Sequence, residues 1–144
     1  MYTQYEINKL EAKLRPQDVD LNIVFDGDSL TYGLGDQDYP KYIKNNISKI
    51  FKSVTFNSFG VSGQNTQSML SDASTQINSL VDVNKYNVVV AWEDINAILN
   101  DSRTGLENFN DFNQYFTDRK NAGFDKRILI LGYNPRKKND GTYN

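Results

Sequence analysis

Apolar residues recur along the chain in two rhythms that alternate. Tyr5, Ile7, Leu10 and Leu14 fall at roughly helical spacing before Pro16, which predicts a short amphipathic lead-in helix over residues 3–15. Leu21 to Phe25 is apolar at most positions and runs into a glycine-containing turn, the pattern of a central strand in a parallel sheet. Pro40 opens a helix marked by Tyr42, Ile43, Ile47, Ile50 and Phe51, and Ser53 to Ser58 alternates as a second strand. After the loop Gly60-Val61-Ser62-Gly63, a helix over residues 66–80 carries Met69, Ile77 and Leu80. Val88-Val89-Val90 sits inside a buried third strand over residues 86–92. A polar helical stretch follows with Leu106, Phe109, Phe112 and Phe116, and its three phenylalanines are assigned to the core by their spacing. Ile128-Leu129-Ile130-Leu131 lies in a fourth strand over residues 127–133. Alternation of strand and helix makes the fold class α/β with a parallel sheet. No internal repeat, linker or low-complexity tract divides the chain, so residues 1–144 read as one domain, with 1–20 as lead-in and 134–144 as an irregular tail.

Composition narrows the class. A chain of 144 residues and 16.5 kDa is long enough for one core but not for two. A net charge of -2 with scattered Lys and Arg offers no basic face, so neither nucleic acid nor an anionic membrane is expected as partner. Arg136-Lys137-Lys138 is a basic run, but a short one. The chain has no cysteine, which excludes disulfides and thiolate metal sites and fits a reducing compartment. Its polar start lacks the apolar stretch of a secretory signal, and no segment approaches the ~20 apolar residues of a membrane span. The default location is cytoplasmic, and a phage or virus product would read the same way.

Three loops at the carboxyl ends of predicted strands, where open parallel sheets gather ligands, carry unusual chemistry. The first, Asp26-Gly27-Asp28-Ser29, ends a strand with a candidate nucleophile. In the second, Ser58 to Thr66, glycines let the backbone approach a ligand closely. The third, Trp92-Glu93-Asp94-Ile95-Asn96, offers a carboxamide donor. Together they supply a nucleophile, Ser29, and three oxyanion donors: the N–H groups of Ser29 and Gly63 and the side-chain amide of Asn96. A serine hydroxyl is a weak nucleophile near neutral pH without an imidazole to take its proton, and this chain contains no histidine.

At these loops the chain resembles the GDSL-type, or SGNH, hydrolase family of esterases and lipases. Gly27-Asp28-Ser29-Leu30 is similar to the family's name motif at the end of the first strand, Gly63 to its oxyanion-hole glycine and Asn96 to its oxyanion-hole asparagine. The resemblance spans roughly residues 21 to 133 and implies a flavodoxin-like, three-layer α/β/α sandwich that hydrolyses esters or thioesters, including acetylated carbohydrates, without a cofactor or metal. The third block departs from the family in having Asp94 and Ala97 around Asn96. The family's last block, Asp-x-x-His after a fifth strand, has no counterpart, since Asp140-Gly141-Thr142-Tyr143 imitates the spacing with a phenol of pKa ~10. The chain is therefore expected to be a C-terminally incomplete member, inactive or very weak as it stands. Lack of a fifth strand would expose an apolar edge at residues 127–133, open to pairing with another copy.

Blander roles compete at each position. Ser29 suits a helix N-cap, Asn96 a cap, and Gly60 and Gly63 a simple turn. Asp28 is read as ordering its turn through backbone hydrogen bonds, Trp92 as packing, and Glu93 as a solvated or loop-pairing charge. Two other functions are weighed against the esterase. One is a hydrolase-like binding or assembly module, for carbohydrate among other ligands. The other is a magnesium-dependent phosphatase of the haloacid-dehalogenase type, for which Asp26 and Asp28 would be the paired carboxylates.

Overall fold

A computed structural model describes residues 15–33, 38–93, 95–99 and 101–131. The expected lead-in helix lies, up to residue 14, outside these residues, as do Asp94 and the tail from residue 132. The described elements are β1 (Asp20–Gly27), α1 (Ser29–Tyr32), α2 (Tyr39–Ile47), β2 (Ser53–Gly60), α3 (Thr66–Gln76), β3 (Tyr86–Trp92), α4 (Ile95–Leu99), α5 (Gly105–Ala122) and β4 (Lys126–Leu129). All strand pairings are parallel and the order across the sheet is β2-β1-β3-β4. That order puts the β1–β2 crossover, α2, on one face of the sheet and the β2–β3 and β3–β4 crossovers, α3 and α5, on the other, which yields the expected three layers.

Side-chain alternation on the central strands decides which face holds what. Leu21, Ile23 and Phe25 of β1, with Val88 and Val90 of β3, pack against Tyr39, Ile43 and Ile47 of α2. Val24, Val89 and Ala91 point the other way, onto Met69 and Ala73 of α3 and Phe112 and Tyr115 of α5. Both central strands are almost wholly buried, which explains their near-continuous apolar runs. Polar Asn22 and Asn87 interrupt those runs at the amino ends of the strands. Asn22 Nδ2 donates to Asn87 Oδ1 at 2.8 Å and to the Leu80 carbonyl at 2.7 Å, so the two amides pair with each other, while Asn22 Oδ1 has no partner among the described residues.

Local chemistry ends the elements. Asp38 caps α2 by accepting from Lys41 N–H at 3.0 Å, and Asn65 caps α3 by accepting from Ser68 N–H at 2.8 Å. Helix α5 opens with a reciprocal Thr104–Glu107 capping box and closes on Gly123 at φ +112. Several expectations shift by a turn. The third helix stops at Gln76, with a 3-10 turn over Asn78–Leu80. The second strand runs on to Gly60, and the fourth begins at Lys126 and ends at Leu129.

Phe109 corrects a core assignment. It is 65% exposed, whereas Phe112 is buried and Phe116 packs at the core's margin. Asn108, Phe112, Tyr115 and Arg119 form the buried stripe of α5, and Phe109 stands about 90° round the helix from its centre at 100° per residue. Beyond β4 no strand pairs among the described residues, and Ile128 and Leu131 are exposed.

Candidate active site

The first loop is built by two close approaches. A side chain at Gly27 would run into Thr31 Oγ1 and the Trp92 carbonyl, so glycine alone lets β1 end against both α1 and β3. Asp28 then caps α1. Its carboxylate accepts from Leu30 N–H at 2.8 Å, while its carbonyl receives Tyr32 N–H at 3.0 Å. Ser29 is thus the first helical residue, half-buried at the lip of the sheet, and the capping role considered for it belongs to Asp28.

The second loop is tied to the first. Val61 N–H donates to the Gly27 carbonyl at 2.9 Å, and Gln64 N–H closes a turn on the Val61 carbonyl at 3.0 Å. Gly60, read as a turn residue, is instead the last residue of β2, paired with Gly27. A Cβ there would strike the backbone of Thr31 and Tyr32. Gly63 sits at φ +78 with open space where a side chain would be, so its requirement for glycine is conformational.

The third loop brings Asn96, the second residue of α4. Its Nδ2 donates to the Gln64 carbonyl at 2.9 Å and approaches Asp28 Oδ2 at 3.3 Å. One carboxamide therefore joins the immediate neighbours of Ser29 and Gly63. The same two contacts engage the amide hydrogens that an oxyanion would need.

Beneath this apex lie carboxylates whose burial the sequence did not signal. Glu93, expected to be solvated or paired in the loop, is fully buried. It accepts from Asn96 N–H at 2.6 Å, Ala97 N–H at 3.2 Å and Thr66 Oγ1 at 2.8 Å, which makes it the polar anchor of α4. Thr66 Oγ1 also contacts Asn108 Oδ1. A hydroxyl has one proton to give, so both contacts hold when Asn108 turns its amide nitrogen toward Thr66 or when Glu93 carries the proton. Burial pushes the Glu93 carboxyl up, with the Thr66 and backbone hydrogen bonds opposing it. Burial likewise raises Asp28, against the hydrogen bond from Leu30.

Asp26 points under the sheet, away from Asp28's partners. It accepts from Tyr115 Oη at 2.6 Å. Burial carries its pKa to about 7, with the Tyr115 hydrogen bond and the Arg119 charge pulling it back. Arg119 is itself buried, with its guanidinium 4.7 Å from the Tyr115 ring centre. The two carboxylates proposed for magnesium are thus committed to different partners, and among the described residues no three acidic or histidine side chains gather at one point. Asp94 and Asp140 to Tyr143 lie outside the described residues.

No family model matches the chain, and no curated protein matches it. Among solved structures it is similar to an acetyl xylan esterase, at 13% identity and a TM-score of 0.58 over 75% of this chain and 56% of that one. A member of the lipolytic protein G-D-S-L family from Veillonella parvula DSM 2008 matches at 20% identity and 0.58, over 76% and 57%. An α/β hydrolase enzyme from the metagenome of Lake Arreo, Spain, matches at 15% identity and 0.61, over 84% and 64%. The chain spans less than two thirds of the length of each of these proteins. At such identities the likeness concerns architecture: the chain has a GDSL/SGNH-like α/β three-layer fold.

Proposed function

We propose that the three-loop apex is an ester-hydrolase site of the GDSL/SGNH kind. Ser29 is the nucleophile, and the N–H groups of Ser29 and Gly63 with the Asn96 carboxamide are the oxyanion donors. The observation that supports this best is the Asn96 amide, which brings together the neighbours of Ser29 and Gly63 from loops more than thirty residues apart. Ser29 Oγ would add to the ester carbonyl carbon, and the charge on its oxygen would fall to those donors. The alcohol would leave with a proton, and water would release the acid and restore the serine. The likeness to an acetyl xylan esterase supports an acetylated carbohydrate as the first substrate to test.

The serine proton is the weak point. With no histidine in these 144 residues, turnover is expected to fall to the ~10³ to 10⁴-fold over water that binding and oxyanion stabilisation alone sustain. Burial of Asp28 helps slightly, since a raised pKa narrows the pH range in which its charge opposes the oxyanion. Added imidazole supplies the missing base and tests the assignment. A fluorophosphonate should phosphonylate Ser29 faster with imidazole than without, as read by mass spectrometry, and Ser29→Ala should give no adduct at that peptide. A folded sample in which imidazole leaves Ser29 unlabelled overturns the nucleophile.

A second reading is a non-catalytic binding or assembly module. The engaged Asn96 amide favours it, because a donor already held by Gln64 and Asp28 must be released before it can serve an oxyanion. The phosphatase reading has less support, given the separate partners of Asp26 and Asp28.

A further inference from the structure

We propose that the groove between α1, α2 and the edge of β2 binds an acidic sugar, with Lys41 and Lys44 taking its carboxylate. The groove encloses about 540 Å³, within the range of small-ligand sites. Its lining includes Tyr32 from α1, Lys41 and Lys44 from α2, and Phe56, Ser58 and Val61 from β2 and the turn beyond it.

Charge complementarity selects the ligand class. Lys41 and Lys44 stand three residues apart on α2 and so share one helix face. Neither joins an ion pair among the described residues. Among the described lining residues Asp38 is the one carboxylate, and it accepts from the Lys41 N–H in capping α2. Two lysines against that one carboxylate leave the described lining with a net charge of +1 (2 − 1), and an anion completes it. The walls favour a ring over a bare ion. Tyr32 is 67% exposed and presents an aromatic face, Val61 is exposed beside it, and the Phe56 ring lies 5.1 Å below Lys44 Nζ. A pyranose with a carboxylate meets both requirements, its C–H face on the aromatic wall and its charge between the lysines.

Position links the groove to the apex. Tyr32 is one helical turn beyond Ser29, and Val61 is two residues before Gly63. A ligand seated here would extend toward the serine, so as a substrate determinant the groove rests on the hydrolase reading of Ser29, whereas its binding does not. The test therefore reads binding alone.

Trigalacturonate and neutral maltotriose would be titrated into the ¹⁵N-labelled full chain. Trigalacturonate should shift amides in residues 31–32, 41–44 and 56–61, and added salt should weaken it. Maltotriose should shift them little. The exposed pair Lys41→Gln and Lys44→Gln together should weaken trigalacturonate by about tenfold while the spectrum elsewhere stays that of the folded parent. Equal binding of maltotriose, an unchanged affinity in the double variant, or the same shifts from inorganic phosphate at the same concentration would each overturn the acidic-sugar site. Ser29→Ala should bind trigalacturonate as the parent does, so failure of the groove and failure of the nucleophile are read separately.

Discussion

Glycine at residue 60 is dictated by contact. The backbone of Thr31 and Tyr32 lies where a Cβ would stand, so Gly60→Ala must push α1 off the end of β2. Overpacking against side chains costs about 1–3 kcal/mol, and backbone yields less readily. We therefore expect Gly60→Ala to lose about 3 kcal/mol in urea unfolding, with Gly63→Ala losing less because only its positive φ resists. Equal losses in the two variants would mean that the contact at Gly60 is relieved by a small shift of α1. In the sequence the two glycines look alike, three residues apart in one loop, since the obstruction at Gly60 comes from a helix thirty residues away. Phe109 misleads for the opposite reason: its spacing to Phe112 and Phe116 is helical, but the buried stripe it would join is set by Asn108, Tyr115 and Arg119. Polar residues define the inward face of α5, and a pattern built on hydrophobicity misses them.

At the scale of elements, strands were legible because their burial is two-sided. Val88-Val89-Val90 and the run from Leu21 to Phe25 need no partner to be recognised, and β3 occupies the residues expected of it. Helix ends were less legible, since apolar residues continue past them: Ile50 and Leu80 lie beyond α2 and α3. Helix α4 is too short to hold itself together by propensity. It is held instead by Glu93, which no periodicity marks. Glu93→Ala should strand the N–H groups of Asn96 and Ala97 and the Thr66 hydroxyl in a buried place, a loss of about 2–3 kcal/mol. Glu93→Gln keeps an accepting oxygen for the backbone and should lose under about 1 kcal/mol. Thermal unfolding of the pair checks this, and a Gln variant as unstable as the Ala variant would show that the carboxyl itself, by charge or by its proton, is what Thr66 and Asn108 require.

Across the whole molecule, Asp26 connects the central strand to the farther helical layer through Tyr115, and its ionisation gives stability a pH dependence whose sign can be worked out. The ordinary carboxyl value is 3.8 and the folded value is about 7, with burial the main cause. Below 3.8 the group is protonated folded or unfolded and makes no difference. Between 3.8 and about 7 the folded chain keeps a proton that the unfolded chain releases, so stability falls as pH rises, and the loss is complete above about 7. The upper bound on that loss is ~4 kcal/mol, and about 1–3 kcal/mol is expected once the interior relaxes. Asn at this position still accepts the Tyr115 proton and never ionises. Relative to the parent, Asp26→Asn should therefore gain about 1–3 kcal/mol between pH 4 and pH 8 in urea titrations. The comparison cancels Asp28 and Glu93, which burial raises in both proteins. Arg119 makes the slope decisive. If the buried guanidinium held Asp26 as an ion pair, the folded carboxyl would lie below its ordinary value of 3.8, its linkage would fall below that pH, and the variant's stability relative to the parent would stay flat between pH 4 and pH 8. A rising difference assigns the contact to a neutral carboxyl bonded to Tyr115; a flat one assigns it to a buried charge pair.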